Sequence, residues 1–270
     1  MTRATSPRPT CAVQRMSAKN VARFDARLEN CPRCLWLGMQ VLFRSLYGIM
    51  PGVFSSIDAR TKRVVHGHFD RYGVALPWLA PVGPVVAYRE PPHWSKFQKL
   101  YPEYGILLTG APDGVLLTDA GDLIIVDYKT ARYTATQDSL FPLYEGQLNG
   151  YAEIAEHLGM GRVSRLALVY AEPVIVVDPD DLIPGRHPFV LPFSIHVVPV
   201  ERRPELLPPL LARVREFADM PAPPAARPGC RECELLDTLI GHVSGHSGAS
   251  PPPPAAATPH DQRRRQRRPI

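Results

Sequence analysis

A mixed α/β domain is the fold class this sequence predicts, and three observations carry it. Short apolar runs at Ile106-Leu107-Leu108, Val115-Leu116-Leu117 and Leu123-Ile124-Ile125-Val126 are bounded by Gly, Pro and Asp, the pattern of strands. Apolar residues recur at helical spacing on either side of that block, most plainly in 143–158 (LYEGQLNGYAEIAEHL), which ends at Gly159. Proline supplies 31 of 270 residues, about twice its ordinary usage, which excludes a wholly helical bundle.

In chain order, residues 1–17 read as a disordered leader. From Ser17 to Asn30, Val21, Phe24 and Leu28 share one stripe and predict a helix. It runs into Cys31-Pro32-Arg33-Cys34 and the apolar Leu35-Trp36-Leu37. Residues 56–72 read as a second helix, with Ile57, Val64, Val65 and Phe69 as core contacts. The Pro-, Trp- and Tyr-rich stretch 73–104 predicts irregular packing loops. After the central strands, Arg165–Ala171 and Val190–Val200 read as strands and Leu206–Ala218 as the last helix. A Pro/Ala linker, Cys230-Arg231-Glu232-Cys233 and a Ser/Gly/Pro/Ala tail ending in arginines complete the chain. The expected organisation is a leader at 1–17, a folded domain at 18–235 and a disordered tail at 236–270.

Charge adds little about partners. The net +5 is concentrated at the ends, with +4 in residues 1–30 and +4 in 260–270, so the body is mildly acidic. Global basicity is therefore no argument for a nucleic-acid partner. The arginines at 263–268 could attract phosphates, but they read first as a solvated tail. No run of 18 apolar residues exists, and Met1–Lys19 lacks a signal-type apolar segment, so a cytoplasmic protein without a membrane partner is expected.

The most informative stretch joins Asp113 to Asp127-Tyr128-Lys129 through the turn-like Thr118–Asp122. A hairpin centred on Ala120 sets Asp113 directly across from Asp127, at roughly 4.5–5.5 Å between Cα atoms. Side chains alternate along a strand, so Lys129 joins the same face as Asp127. Two carboxylates at that spacing suit a hard divalent ion such as Mg²⁺. A neighbouring lysine can orient a water or stabilise charge on a phosphate. The same residues could instead be a solvated hairpin end with an Asp–Lys ion pair. The apolar Ile124-Ile125-Val126 favours a buried strand and hence a functional site.

Gly110-x-x-Asp113, Asp127-x-Lys129 and Gln147-x-x-x-Tyr151, in that order on two strands and a helix, resemble the PD-(D/E)XK nuclease superfamily and its RecB-like branch. The resemblance implies a restriction-endonuclease-like core, a central mixed β-sheet flanked by helices. It implies a nuclease in which Asp113 and Asp127 hold Mg²⁺ or Mn²⁺, Lys129 positions the attacking water, and Gln147 and Tyr151 line the site. DNA is the implied substrate, with exonucleolytic trimming of single strands favoured and RNA left open. A helicase or other DNA-processing protein is an implied partner. RecB-like nucleases carry a further ligand on a helix before the hairpin; His66 is the choice here, ahead of His68 and Glu90.

Cys31-x-x-Cys34 and Cys230-x-x-Cys233 each have the spacing of a ligand pair. Four thiolates fit a 4Fe–4S cluster or Zn²⁺. The iron–sulfur branch of the RecB-like family, which includes CRISPR-associated exonucleases, favours the cluster. Its usual one-plus-three cysteine arrangement is two-plus-two here. Two other functions stay open: a non-catalytic nucleic-acid-binding subunit of a DNA-processing complex, and a thiol oxidoreductase using Cys31 and Cys34.

Overall fold

The computed structural model describes residues 13–40, 52–134, 139–174 and 191–245. They belong to two compact units, Met1–Arg227 and Pro228–Ile270. The first carries β1 (Gln14–Ser17), α1 (Ala18–Ala22), α2 (Pro32–Gln40), α3 (Gly52–Tyr72), β2 (Ala87–Arg89), β3 (Gln98–Tyr101), β4 (Ile106–Thr109), β5 (Gly114–Leu117), β6 (Leu123–Lys129), α4 (Phe141–His157), β7 (Val163–Pro173), β8 (Phe193–Val200) and α5 (Leu207–Asp219). Within the second, α6 spans Arg231–Gly245.

The main sheet runs β2-β5-β6-β7-β8, and a smaller one runs β1-β4-β3. All neighbours in the main sheet are antiparallel except β6 and β7, which run parallel. Two parallel strands need a crossover, and α4 supplies it. This is the mixed sheet flanked by helices that the restriction-endonuclease-like fold requires.

Strand alternation divides β6 between two cores. Leu123 and Ile125 point to one face, where they meet Leu148, Ile154 and Ala155 of α4 and Leu211 and Val214 of α5. Ile124, Val126 and Tyr128 point to the other, against Val65 and Phe69 of α3 and Leu79 and Val82 of a 3-10 turn, Pro77–Val82. With apolar layers on both faces, β6 is a central strand whose last residues emerge between α3 and α4.

The hairpin turns as its sequence predicts. Thr118 N–H donates to Asp122 O at 3.0 Å, and Gly121 adopts φ +81°, a conformation that favours glycine. The resulting register pairs Gly114 with Val126 and Val115 with Ile125, mirror positions about Ala120. At the other end of α4, Gly159 takes φ +68° and closes the helix.

Several boundaries differ from the sequence reading. Residues 14–17, assigned to a disordered leader, form β1, paired parallel with Ile106–Thr109. Parallel pairing to a strand 92 positions later leaves no local signature. The helix expected across Ser17–Asn30 stops at Ala22, and a 3-10 turn follows at Ala26–Leu28. Asp25 causes the break, because its carboxylate accepts from Arg27 N–H at 2.9 Å and competes with the helix ladder. The Pro-rich stretch 73–104 contains β2, β3 and two 3-10 turns. Leu206–Ala218 is not the last helix, since α6 follows and crosses the expected start of the tail at 236. Val190 and the terminal arginines lie outside the described residues.

Candidate active site

The end of β6 brings Asp127 and Lys129 out on the face that α4 covers. Asp127 is 2 % exposed. Lys129 pairs with its Oδ2 and lies 4.6 Å from the centre of the Tyr144 ring, so an ion pair and a cation–π contact hold the ammonium together. From α4, Gln147 Nε2 donates to Asp127 Oδ1 at 3.1 Å and to Tyr151 Oη at 2.8 Å. The i, i+4 spacing of Gln147 and Tyr151 makes that second bond possible.

Asp113 sits one residue before β5, where the ladder ends. Its Oδ2 accepts from Tyr128 N–H at 2.9 Å. Its Oδ1 accepts from Lys62 Nζ at 3.0 Å, and the same ammonium stands 3.0 Å from Asp58 Oδ2. Asp58 and Lys62 both come from α3. The cluster is thus assembled from α3, the β5–β6 hairpin and α4.

Burial shapes its electrostatics. Loss of solvent, opposed by the Lys129 ammonium and aided by the Asp113 carboxylate, pushes the Asp127 carboxyl up to about 6. Partial burial and the Asp113 charge push Asp58 up as well. Burial raises the Tyr151 phenol far above its ordinary value, with Asp127 adding to the rise, so it stays a neutral hydroxyl. Lys19 of α1 also feels this site: desolvation and the Lys129 ammonium hold it below its usual value, while Asp127 and Asp113 pull the other way.

Small residues give these groups access to one another. An added Cβ at Gly110 would lie 2.5 Å from Tyr151 Cε1, so only glycine lets the chain entering the hairpin pass that ring. On the outer side of α4, a Cβ at Gly146 would stand 2.8 Å from Ala22 Cβ, and one at Gly150 would stand 2.7 Å from Ala18 Cβ. Two glycines on α4 and two alanines on α1, each pair four residues apart, let these helices cross closely.

The structure therefore brings Asp113, Asp127, Lys129, Gln147 and Tyr151 together. It does not bring His66 to them. That imidazole stacks on Tyr88 with ring centres 4.0 Å apart, and its Nδ1 is 3.0 Å from Glu90 Oε1. Asp58, about two helical turns earlier in α3, reaches the cluster instead. Asp58 and Lys62 read locally as a surface i, i+4 ion pair, and nothing in their neighbourhood signals Asp113. Tyr144 could have been found, because it precedes Gln147 by three residues and shares its helix face.

Among the buried oxygens that lack a hydrogen-bond partner among the described residues are Asp58 Oδ1 and Gln147 Oε1. Acceptors of this kind, like the carboxylates of Asp58, Asp113 and Asp127, are oxygen donors, the ligand type that a hard divalent cation takes. The residues present thus fit Mg²⁺ or Mn²⁺.

The cysteine pairs are built alike. Cys31 precedes α2 and its carbonyl accepts from Leu35 N–H at 3.1 Å; Cys230 precedes α6 and accepts from Glu234 N–H at 3.0 Å. Cys34 and Cys233 follow in the first turns. The first pair thus opens a helix, and a 3-10 turn rather than a strand precedes it. All four are thiols outside any disulfide. Cys31 Sγ accepts from Arg227 N–H at 3.3 Å.

Residues 58–237, well over half the chain, match the family model of the PD-(D/E)XK nuclease superfamily, and the chain belongs to it. This superfamily consists generally of nucleases that need divalent metals, Mg²⁺ or Mn²⁺, and act on nucleic acid. No curated protein matches the chain. Among solved structures, one titled "Crystal structure of SSO0001" is similar at 13 % identity and a TM-score of 0.38, covering 82 % of this chain and 81 % of that one. Among the described residues, no helix is long and apolar enough to cross a membrane.

Proposed function

We propose that this protein hydrolyses DNA, trimming single strands from an end, and that it belongs to the RecB-like branch. The observation that carries the reading is the convergence of Asp113, Asp127 and Lys129 with Gln147 of α4. Asp113, Asp127 and Asp58 are the residues that would hold Mg²⁺ or Mn²⁺. The bound ion would supply Lewis-acid charge to a phosphoryl oxygen.

The protein's own groups do the rest. Lys129, fixed by Asp127 and the Tyr144 ring, positions the attacking water and faces the negative charge that grows on the phosphate. Gln147 fixes the orientation of Asp127 through its amide N–H, and Tyr151 fixes Gln147 by accepting its second hydrogen. The α3 and α4 layers exclude bulk water from Asp127, which strengthens every charge interaction there.

The cysteines fit a four-thiolate centre that ties the two ends of the chain, with 4Fe–4S favoured over Zn²⁺. Support comes from the matching build of the two pairs. Such a protein would work in the cytoplasm, alongside a helicase or similar DNA-processing partner.

The test is cleavage of end-labelled single- and double-stranded DNA, and of RNA, by anaerobically purified protein with Mn²⁺, Mg²⁺ or chelator. Metal-dependent products from wild type and none from Lys129→Ala are expected. Products that persist in Lys129→Ala would remove the site from this hairpin. Bound DNA without products would leave a non-catalytic binding subunit. Iron, sulfide and zinc analysis of the same sample decides the thiolate centre, and absence of all three would return Cys31 and Cys34 to thiol redox chemistry.

A further inference from the structure

Lys19 of the short helix α1 and Arg23, which caps its C-terminal end, are two cations that the nuclease reading does not use. Ala18, Val21 and Ala22 are buried, whereas Lys19 and Arg23 are exposed and lie four residues apart on the outward stripe. Neither has a carboxylate within ion-pair distance among the described residues.

The position of α1 is fixed tightly. Ala18 abuts Gly150 and Ala22 abuts Gly146, the residues that immediately precede Tyr151 and Gln147. Ser17 Oγ caps the helix by accepting from Asn20 N–H at 3.2 Å. Arg27, just beyond it, is tied to Glu145 of α4 at 2.8 Å. Lys19 and Arg23 are thereby anchored, through Ala18 and Ala22, to the turn of α4 that carries Gln147 and Tyr151, and Lys19 is close enough to interact electrostatically with Asp113, Asp127 and Lys129. A lysine and an arginine without an ion-pair partner among the described residues, on the chain that packs against the turn of α4 carrying Gln147 and Tyr151, suit the neighbouring phosphates of the same strand.

We propose that Lys19 and Arg23 form a phosphate-binding track that grips the single-stranded backbone next to the bond being cut. It rests on the nuclease reading and adds a substrate-binding surface to it. Backbone contacts of this kind hold a strand in register without reading its sequence.

The test is fluorescence anisotropy of labelled single-stranded oligodeoxynucleotides against the full-length protein, in chelator and over a range of salt. Lys19→Ala and Arg23→Ala should each weaken binding equally for different sequences and reduce the slope of log Kd against log salt by about 0.7, the double variant by about 1.4. Lys19→Arg should keep the wild-type slope. Arg162→Ala, which removes an exposed charge at the opposite end of β6, serves as the control and should also keep it. A folded double variant with the wild-type slope would overturn the track alone. A wild type that neither binds nor cuts any oligonucleotide would remove the nuclease reading and the track together.

Discussion

Lys62 Nζ stands 3.0 Å from Asp113 Oδ1, so α3 supplies a cation to the hairpin carboxylate. The same ammonium is 3.0 Å from Asp58 Oδ2, so it pairs with two of the carboxylates that would hold a divalent ion. Lys62→Met should therefore act in two directions. Without metal, the exposed repulsion between Asp58 and Asp113 should cost about 1–3 kcal/mol. With Mn²⁺, the variant should gain more thermal stability than wild type, because no internal cation competes. Thermal unfolding with and without Mn²⁺ reads both effects, and an equal Mn²⁺ gain in the two proteins would show that Lys62 does not compete.

The contrast between Asp113 and Asp58 shows what the sequence could reveal. Asp113 was legible because a short turn fixes the register of everything on either side of it, so Asp127 and Lys129 followed from alternation alone. Gln147 and Tyr151 were legible from helical spacing. Asp58 and Lys62 reach Asp113 from 55 and 51 positions away, and α1 meets Gly146 and Gly150 of α4 from farther still. Such contacts depend on how layers pack, and local pattern carries no trace of that. The same reason hid β1, whose pairing with β4 is parallel and remote.

Gln147 is predicted to matter through Asp127. Its amide is the hydrogen-bond donor that α4 offers to Asp127 Oδ1, and Asp127 is almost fully buried. Gln147→Ala should lower Mn²⁺-dependent cleavage of end-labelled single strands about 10–100-fold, the usual cost of removing an orienting partner. Tyr151→Phe, which takes away only the acceptor for the second Gln147 hydrogen, should lose less. A Gln147→Ala protein within twofold of wild type would mean that Asp127 is held by other contacts.

The close passages at Gly110 and Gly150 predict two separable defects. Gly150→Ala forces a methyl to 2.7 Å from Ala18 Cβ and should push α1 away from α4, at a cost of about 1–3 kcal/mol. Gly110→Ala meets the Tyr151 ring at 2.5 Å and should displace the ring that supports Gln147. The first should lower the unfolding midpoint more than cleavage of a saturating substrate, and the second should impair cleavage at a temperature where the protein is folded. Unfolding curves and cleavage rates on both variants check this, and identical profiles would deny that the two glycines serve different neighbours.

Glu153, on α4, predicts how stability varies with acid. Lys99 of β3 pairs with its Oε2 at 2.7 Å and Arg202 with its Oε1 at 2.6 Å, so one carboxylate joins α4 to β3 and to the chain after β8. Burial alone would raise this carboxyl, but the two cationic donors outweigh it and hold Glu153 below its ordinary value of 4.5. A carboxyl depressed in the folded state binds fewer protons there than in the unfolded chain, so its contribution is complete above pH 4.5 and is lost as the pH falls below it. Glu153→Gln should be about 1–3 kcal/mol less stable than wild type near neutrality. That gap should narrow as the pH falls through the carboxylate range, because protonation makes the wild-type side chain resemble the amide. Urea unfolding of both proteins from pH 7 to pH 3 measures the gap, and parallel curves across that range would show that the Lys99–Glu153–Arg202 bridge contributes nothing to acid sensitivity.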